Sequence, residues 1–171
     1  MENIELKAKY PDLAKAKELA AEVGAVFQGS QSQIDIYFRV PTGRLKLRES
    51  SAQPSQLIYY QRPDATGLKT SDYQIYPVAD AVKFKSVLGD ALGVWQVVEK
   101  QRELYLLDEV RIHLDRVKEL GRFIEFEGVV SQKADRAAVY EKVRWLVAQF
   151  QIPASACVSG SYSDLLGGTL H

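Results

Sequence analysis

Polar and apolar residues alternate along Asn3-Ile4-Glu5-Leu6-Lys7-Ala8-Lys9, the two-residue period of a strand. The period then changes. Leu13, Ala16, Leu19, Ala20 and Val23 recur at helical spacing behind Pro11-Asp12, and Gly24 stands where the helix should stop. Alternation returns over 33–38, 43–49, 56–62 and 71–78, with Val40-Pro41-Thr42-Gly43 as the turn between the first two of these strands and Pro63-Asp64 ending the third. Residues 80–92 predict a second helix, with Val82, Val87, Leu88 and Leu92 on one side. Strands follow over 94–106, 110–117 and 121–130, with Asp108-Glu109 turning the first hairpin. A third helix is predicted over 134–150, its stripe formed by Val139, Val143, Leu146, Val147 and Phe150. The order β-α-ββββ-α-βββ-α is an antiparallel-dominated α+β pattern.

Composition narrows the function classes. The 171 residues carry 22 Lys+Arg against 22 Asp+Glu, so the net charge is zero and a general nucleic-acid binder, which needs a basic excess, is not expected. No apolar run reaches the ~18–20 residues of a membrane span. Met1-Glu2-Asn3 has no apolar stretch behind it, so no secretory signal is expected. A single cysteine, Cys157, cannot form an internal disulfide, which fits a cytoplasmic protein. No low-complexity segment or composition break divides the chain, so 1–171 is expected to be one domain.

The polar faces of the strands are the informative feature. Residues two apart on a strand point the same way. Arg44, Lys46 and Arg48 therefore share one face and Leu45 and Leu47 the other. Arg111, His113 and Asp115 alternate with Val110, Ile112 and Leu114, and Glu125 and Glu127 with Ile124 and Phe126. Lys100 and Arg102 lie two apart, as do Tyr60 and Arg62. One such strand is an ordinary wetted face. Surface strands normally mix signs, however, and here one strand gathers cations while another gathers carboxylates. A charge-lined barrel interior accounts for both, with cations to hold a polyanion and carboxylates to hold a hard divalent metal.

These segments resemble the CYTH superfamily, the triphosphate tunnel metalloenzymes. Asn3-Ile4-Glu5-Leu6-Lys7 is similar to the family's opening Glu-x-Glu-x-Lys, with Asn3 in place of the first glutamate. Asp35-Ile36-Tyr37-Phe38 and Gly43-Arg44-Leu45-Lys46-Leu47-Arg48 resemble the next two strands of the bacterial, class IV adenylyl cyclase-like branch, and Arg62 matches the basic residue after them. Lys100-Gln101-Arg102 resembles its Lys-x-Arg element. Arg111-Ile112-His113-Leu114-Asp115 and Ile124-Glu125-Phe126-Glu127 resemble its distal metal and phosphate strands, and Ser161-Tyr162-Ser163-Asp164-Leu165-Leu166 its ending.

The resemblance implies a closed antiparallel eight-stranded β-barrel, the triphosphate tunnel, with external helices. It implies metal ligands at Glu5, Asp115, Glu125 and Glu127, binding Mg²⁺ or Mn²⁺. Arg44, Lys46, Arg48, Arg62, Lys100, Arg102 and Arg111 would line the triphosphate path, with Lys7 and Glu5 at the reacting centre. The implied reaction is conversion of ATP to cyclic AMP and pyrophosphate. The alternatives are an inorganic, thiamine or nucleoside triphosphatase on the same scaffold, or a non-catalytic nucleotide or polyphosphate binder. The expected partner is a nucleoside triphosphate or an inorganic or organic triphosphate, with no nucleic acid and no membrane, in a monomer or homodimer. Asn3 offers a neutral oxygen where the family has a carboxylate. His113 is expected as a hydrogen-bonding wall residue, and Trp95 and Trp145 as packing residues.

Overall fold

Eight antiparallel strands close on themselves, so the sheet has no terminal edge strand. The computed structural model describes residues 2–132 and 135–167. Its strands are β1 (Glu2–Lys9), β2 (Val26–Phe38), β3 (Arg44–Ser50), β4 (Gln56–Gln61), β5 (Lys69–Pro77), β6 (Val94–Leu107), β7 (Val110–Val117) and β8 (Gly121–Val130). The helices are α1 (Leu13–Glu22), α2 (Ala81–Leu92), α3 (Arg136–Gln149) and α4 (Tyr162–Gly167), with one helical turn at Ala154–Ala156. Around the barrel the order is β1-β5-β4-β3-β2-β6-β7-β8, and β8 returns to β1.

Three aspartates start the long helices. Asp12, Asp80 and Asp135 each accept a backbone N–H of the first turn, from Lys15, Lys83 and Ala137, all at 3.0 Å. Gly24 follows α1 at φ +83°, which suits glycine. Asp108 turns the β6–β7 hairpin at φ 49°.

The alternation is resolved with the apolar face outward. Ile4, Leu6 and Ala8 of β1, Val110, Ile112 and Leu114 of β7, and Ile124 and Phe126 of β8 form one buried cluster with Leu13, Ala16 and Ala20 of α1 and Val139, Val143 and Leu146 of α3. A second cluster lies under α2, where Ile36, Phe38 and Leu47 meet Ala81, Phe84 and Leu88. The helices are roofs over the outer wall, and the charged faces are left to enclose the interior. Gly128 lets α3 approach, since a Cβ there would stand 2.5 Å from Val139 Cγ1 and 3.0 Å from Val143 Cγ2.

Several expectations need correction. β2 begins at Val26, not at residue 33. Its first half is Val26-Phe27-Gln28-Gly29-Ser30-Gln31-Ser32, which has no buried apolar face and is held by pairing to β6 across a bulge between Phe27 and Gly29. In α2 the expected stripe is rotated: Ala81, Phe84 and Leu88 face the barrel, while Val82 is 77% and Val87 58% exposed. Trp145 on α3 is exposed, not packed. The tail after Ser161 forms α4, which alternation and stripe patterns did not reveal because it is only six residues long. The predicted start of α3 at Ala134 lies outside the described residues. No described helix is long and apolar enough to cross a membrane.

Candidate active site

Inside the barrel, one end is filled. Tyr37, Val98, Val117, Phe123 and Tyr162 form a buried cluster with Trp95 against it, and the rings of Phe123 and Tyr162 meet edge-on at 5.0 Å. Beyond that floor lies a cavity of about 380 Å³. Its lining gathers Lys7, Lys46, Arg48, Arg62, Lys100, Arg102 and Arg111 with Glu5, Glu125 and Glu127. These are ten of the twelve residues expected at the site.

The basic wall is built on β2, β3 and β6. Asp35 and Arg48 are register partners. The Asp35 carboxylate accepts from Arg48 Nε and Nη2, both at 2.7 Å, and from Lys46 and Lys100 Nζ, both at 3.0 Å. Burial alone would raise the Asp35 pKa, but Arg48, Lys100 and Lys46 outweigh it and hold the carboxyl well below its ordinary range. Lys100 is pushed well below the usual lysine range, first by burial and then, against the pull of Asp35, by Arg48, Arg102 and Lys46. One carboxylate thus anchors three cations, which leaves this wall with a surplus of positive charge. Asp35 is a residue the sequence analysis left without a role. The available signal was an acid on the inward face of β2, beside a strand of inward cations.

The acidic wall is built on β1, β7 and β8. Register sets Glu5 opposite Glu127, Lys7 opposite Glu125, Arg111 opposite Glu127 and His113 opposite Glu125. Arg62 donates to Glu5, and Asn3 Nδ2 donates to Glu127. Arg111 Nε lies 3.2 Å from Glu127 Oε2. Glu125 receives Arg102 Nη2 at 3.3 Å and His113 Nδ1 at 3.4 Å, with Lys7 Nζ at 3.9 Å. Burial and the neighbouring Glu125 raise the Glu5 pKa. Burial also opposes ionisation of Glu125, but Lys7, His113 and Arg102 bring it well below its ordinary value. Burial lowers Lys7 to about 8, with Glu125 opposing. The Lys7 ammonium sits 3.8 Å from the centre of the Tyr162 ring, a cation–π contact that ties α4 to the interior. Burial and the Arg102 charge lower His113, so it is neutral on the wall, as expected of a hydrogen-bonding residue.

Two expected residues stand elsewhere. Asp115 is fully buried behind the wall and does not line the cavity. Its two oxygens accept from Arg102 at 2.8 and 2.7 Å and from the Tyr162 hydroxyl at 2.8 Å. It fixes Arg102 and the Tyr162 hydroxyl. Arg44 pairs with Asp164 of α4 at 2.8 Å and lines a separate cavity of about 240 Å³ with Tyr60, Arg62 and Asp64. Both departures follow from tilt and chain ends that alternation cannot encode.

The donors of the acidic wall suit a divalent cation. Glu5, Glu125 and Glu127 supply only oxygen, as Mg²⁺ and Mn²⁺ prefer. Asn3 Oδ1 is buried and, among the described residues, has no hydrogen-bond partner. The chemistry fits. The carboxylates are turned to Arg62, Lys7 and Arg102, and among the described residues no three His, Cys, Asp or Glu side chains converge as a closed cage. A metal held here would complete its coordination with water and ligand oxygens.

Comparisons with known proteins agree with this geometry. The family model for the CYTH domain matches residues 1–156. A curated protein of Methanocaldococcus jannaschii, named "Putative adenylate cyclase", is 25% identical over 98% of this chain and 99% of its own. Among solved structures, a Pyrococcus horikoshii protein has a TM-score of 0.83 at 22% identity, covering 96% of this chain and 99% of that one. A Vibrio parahaemolyticus protein named a "putative adenylate cyclase" has a TM-score of 0.76 at 19% identity, covering 96% and 97%. A Hippeastrum protein, named a "putative adenylyl cyclase" with a dominant triphosphatase activity, has a TM-score of 0.64 at 13% identity, covering 98% and 94%. A closed eight-stranded barrel, a charge-lined interior and a family match over nearly the whole length lead to one statement: this chain belongs to the CYTH family of triphosphate tunnel proteins, whose members are adenylate cyclase-like or triphosphatase enzymes.

Proposed function

We propose that this chain is a metal-dependent enzyme of the class IV adenylyl cyclase type, converting ATP to cyclic AMP and pyrophosphate. The observation that carries this reading is the pairing of walls in one cavity, seven cations against three carboxylates. A triphosphate carries roughly four negative charges near neutral pH. Lys46, Arg48 and Lys100 share the single carboxylate of Asp35 and so leave a positive surplus for it, Arg62 and Arg102 add donors, and arginine grips two oxygens at once.

Glu5, Glu125 and Glu127, with Asn3 Oδ1 as a neutral fourth donor, would hold the metal. Such a metal neutralises charge on the phosphate oxygens when bound. Asp115 takes no ligand role in this reading; it orients Arg102. In the cyclase reaction the ribose 3′-hydroxyl gives up its proton to water, its oxygen attacks the α-phosphorus, the bond to the bridging oxygen of the β-phosphate breaks, and pyrophosphate departs with that oxygen. Lys7, protonated below about 8, is placed between the acidic wall and the floor to offset charge on a reacting oxygen. Burial in a closed barrel strengthens each of these contacts relative to water.

A second reading, triphosphate hydrolysis, uses the same wall with water as nucleophile. It is favoured by the Hippeastrum neighbour in fold, with its dominant triphosphatase activity. Phosphorus NMR of the protein with ATP, and separately with tripolyphosphate, each with Mg²⁺ and then Mn²⁺, decides between them. Cyclic AMP and pyrophosphate from ATP establish the cyclase. Orthophosphate from tripolyphosphate, with ATP cut slowly, establishes the hydrolase. Intact substrate in every tube refutes both and leaves a binding module.

A further inference from the structure

We propose that the open end of the cavity is a nucleobase subsite, and that the Gln33 amide reads the base's hydrogen-bonding edge. The proposal rests on the triphosphate reading of the same cavity and adds what the organic end of the substrate must be.

The lining changes character along the barrel axis. Near the floor and at mid-height it is charged. Moving outward along β2 from Asp35, the inward residues are Gln33 and Gln31; on β3, after Arg48, comes Ser50; on β6, after Arg102, comes Leu104. β2 and β3 thus exchange charge for neutral groups toward this end, while Lys100 and Arg102 of β6 stand beside Gln33 and Gln31, and Arg111 and Glu127 remain charged on β7 and β8. The neutral sector on β2 and β3 suits a ring-bearing group, which calls for amides and apolar surface.

Gln33 is the specific observation. It is 5% exposed, lines the cavity, and its Oε1 has no hydrogen-bond partner among the described residues. The adjacent polar groups do not serve it, because Ser50 donates to Gln31 Oε1 at 2.6 Å. A buried amide left unpaired is costly, so its partner must come from the cavity, from water or from a ligand that displaces it. Register places Gln33 directly beside Lys100 on β6 and Ser50 on β3. A triphosphate on Lys100 and Arg48 therefore has its organic end within reach of this amide.

The chemistry selects the partner. An amide offers an acceptor and a donor side by side, which complements the amino group and neighbouring ring nitrogen of adenine. Tripolyphosphate offers only acceptors and cannot satisfy Oε1. Apolar surface for the ring is present: Ile75, which lines the cavity, is 40% exposed, and Leu104 faces it from β6. The smaller cavity beside α4 is a poorer host, since Arg44 there is already paired with Asp164.

The test is calorimetric titration with ATP, ITP and tripolyphosphate in EDTA, which withholds metal and so suppresses turnover. ITP replaces the amino group of the base with a carbonyl. Wild type is expected to bind ATP about tenfold more tightly than ITP, the discrimination typical of one bidentate amide–base pair. Gln33→Leu is expected to bind ATP and ITP alike and to keep its affinity for tripolyphosphate. Gln33→Met, closer in length and also lacking the amide, should behave the same and guards against misfolding of the first variant. Equal binding of ATP and ITP by wild type overturns the proposal, as does a Gln33 variant that loses tripolyphosphate as severely as ATP; in both cases the triphosphate reading stands. Wild type that binds none of the three in EDTA, and no tripolyphosphate with Mg²⁺ either, overturns the triphosphate reading, and this proposal with it.

Discussion

Asp35→Asn is the sharpest perturbation of this interior. The wild-type carboxylate is fully buried and accepts four hydrogen bonds from Arg48, Lys46 and Lys100. Asparagine keeps the shape but removes the charge, and turns an N–H toward cations that need an acceptor. Removing one partner from a buried ion pair typically costs about 3–5 kcal/mol, because the remaining charge stays buried. For a domain of this size each kcal/mol moves Tm by ~2–4 °C, so a drop of about 6–20 °C is expected. Urea unfolding gives the free energy, and thermal unfolding gives the shift. Tripolyphosphate then tests function. An anion at a hundred times its Kd stabilises by about 2.7 kcal/mol. At one fixed tripolyphosphate concentration the gain should be larger in the variant than in wild type, since the ligand there supplies the charge that Asp35 no longer does. A loss below about 1 kcal/mol would show that the three cations do not depend on Asp35. A smaller ligand gain in the variant would show that the anion does not reach them.

Other outcomes follow from the same geometry. Glu125→Gln and Glu127→Gln should each abolish turnover and weaken metal dependence while circular dichroism stays native; full activity in both would remove them from the metal set. Arg48→Ala should weaken tripolyphosphate binding at least tenfold by titration, since a charge-assisted contact is worth about 1.5–3 kcal/mol. Gly128→Ala should destabilise by about 1–3 kcal/mol in urea, because the new Cβ has no room under Val139. Burial raises the Asp115 pKa but Arg102 outweighs it, bringing the group from 3.8 to about 2. A depressed folded pKa adds stability above the unfolded value and loses it as pH falls, so on the order of 2–3 kcal/mol should disappear between about pH 4 and pH 2. Glu5, whose pKa is raised by burial and Glu125, acts in the opposite sense. Urea midpoints across that range should fall less steeply in Asp115→Asn than in wild type.

Much of this protein is written locally. Arg44-Leu45-Lys46-Leu47-Arg48 can only be a strand with cations on one face, and Asp12, Asp80 and Asp135 mark where helices begin. The bounds of β7 and β8 follow from alternation alone, because every second residue is buried under a helix. Alternation also says that two faces differ. It does not say which face turns inward, how strands tilt, or what lies across the interior. Those are properties of closure. Only the pairing of β2 with β6 joins Asp35 to Lys100, 65 residues away, and only the register of the β6–β7 hairpin sets Arg102 against Asp115, turning one acid into an anchor for the basic wall and the other into a support for Arg102. Only closure leaves Gln33 without a partner and Arg44 beside α4. Strand identity depends on neighbours in sequence, whose burial repeats every two residues. A site assembled from strands far apart in the chain depends on register and shear, which pairing energies around the whole ring decide together.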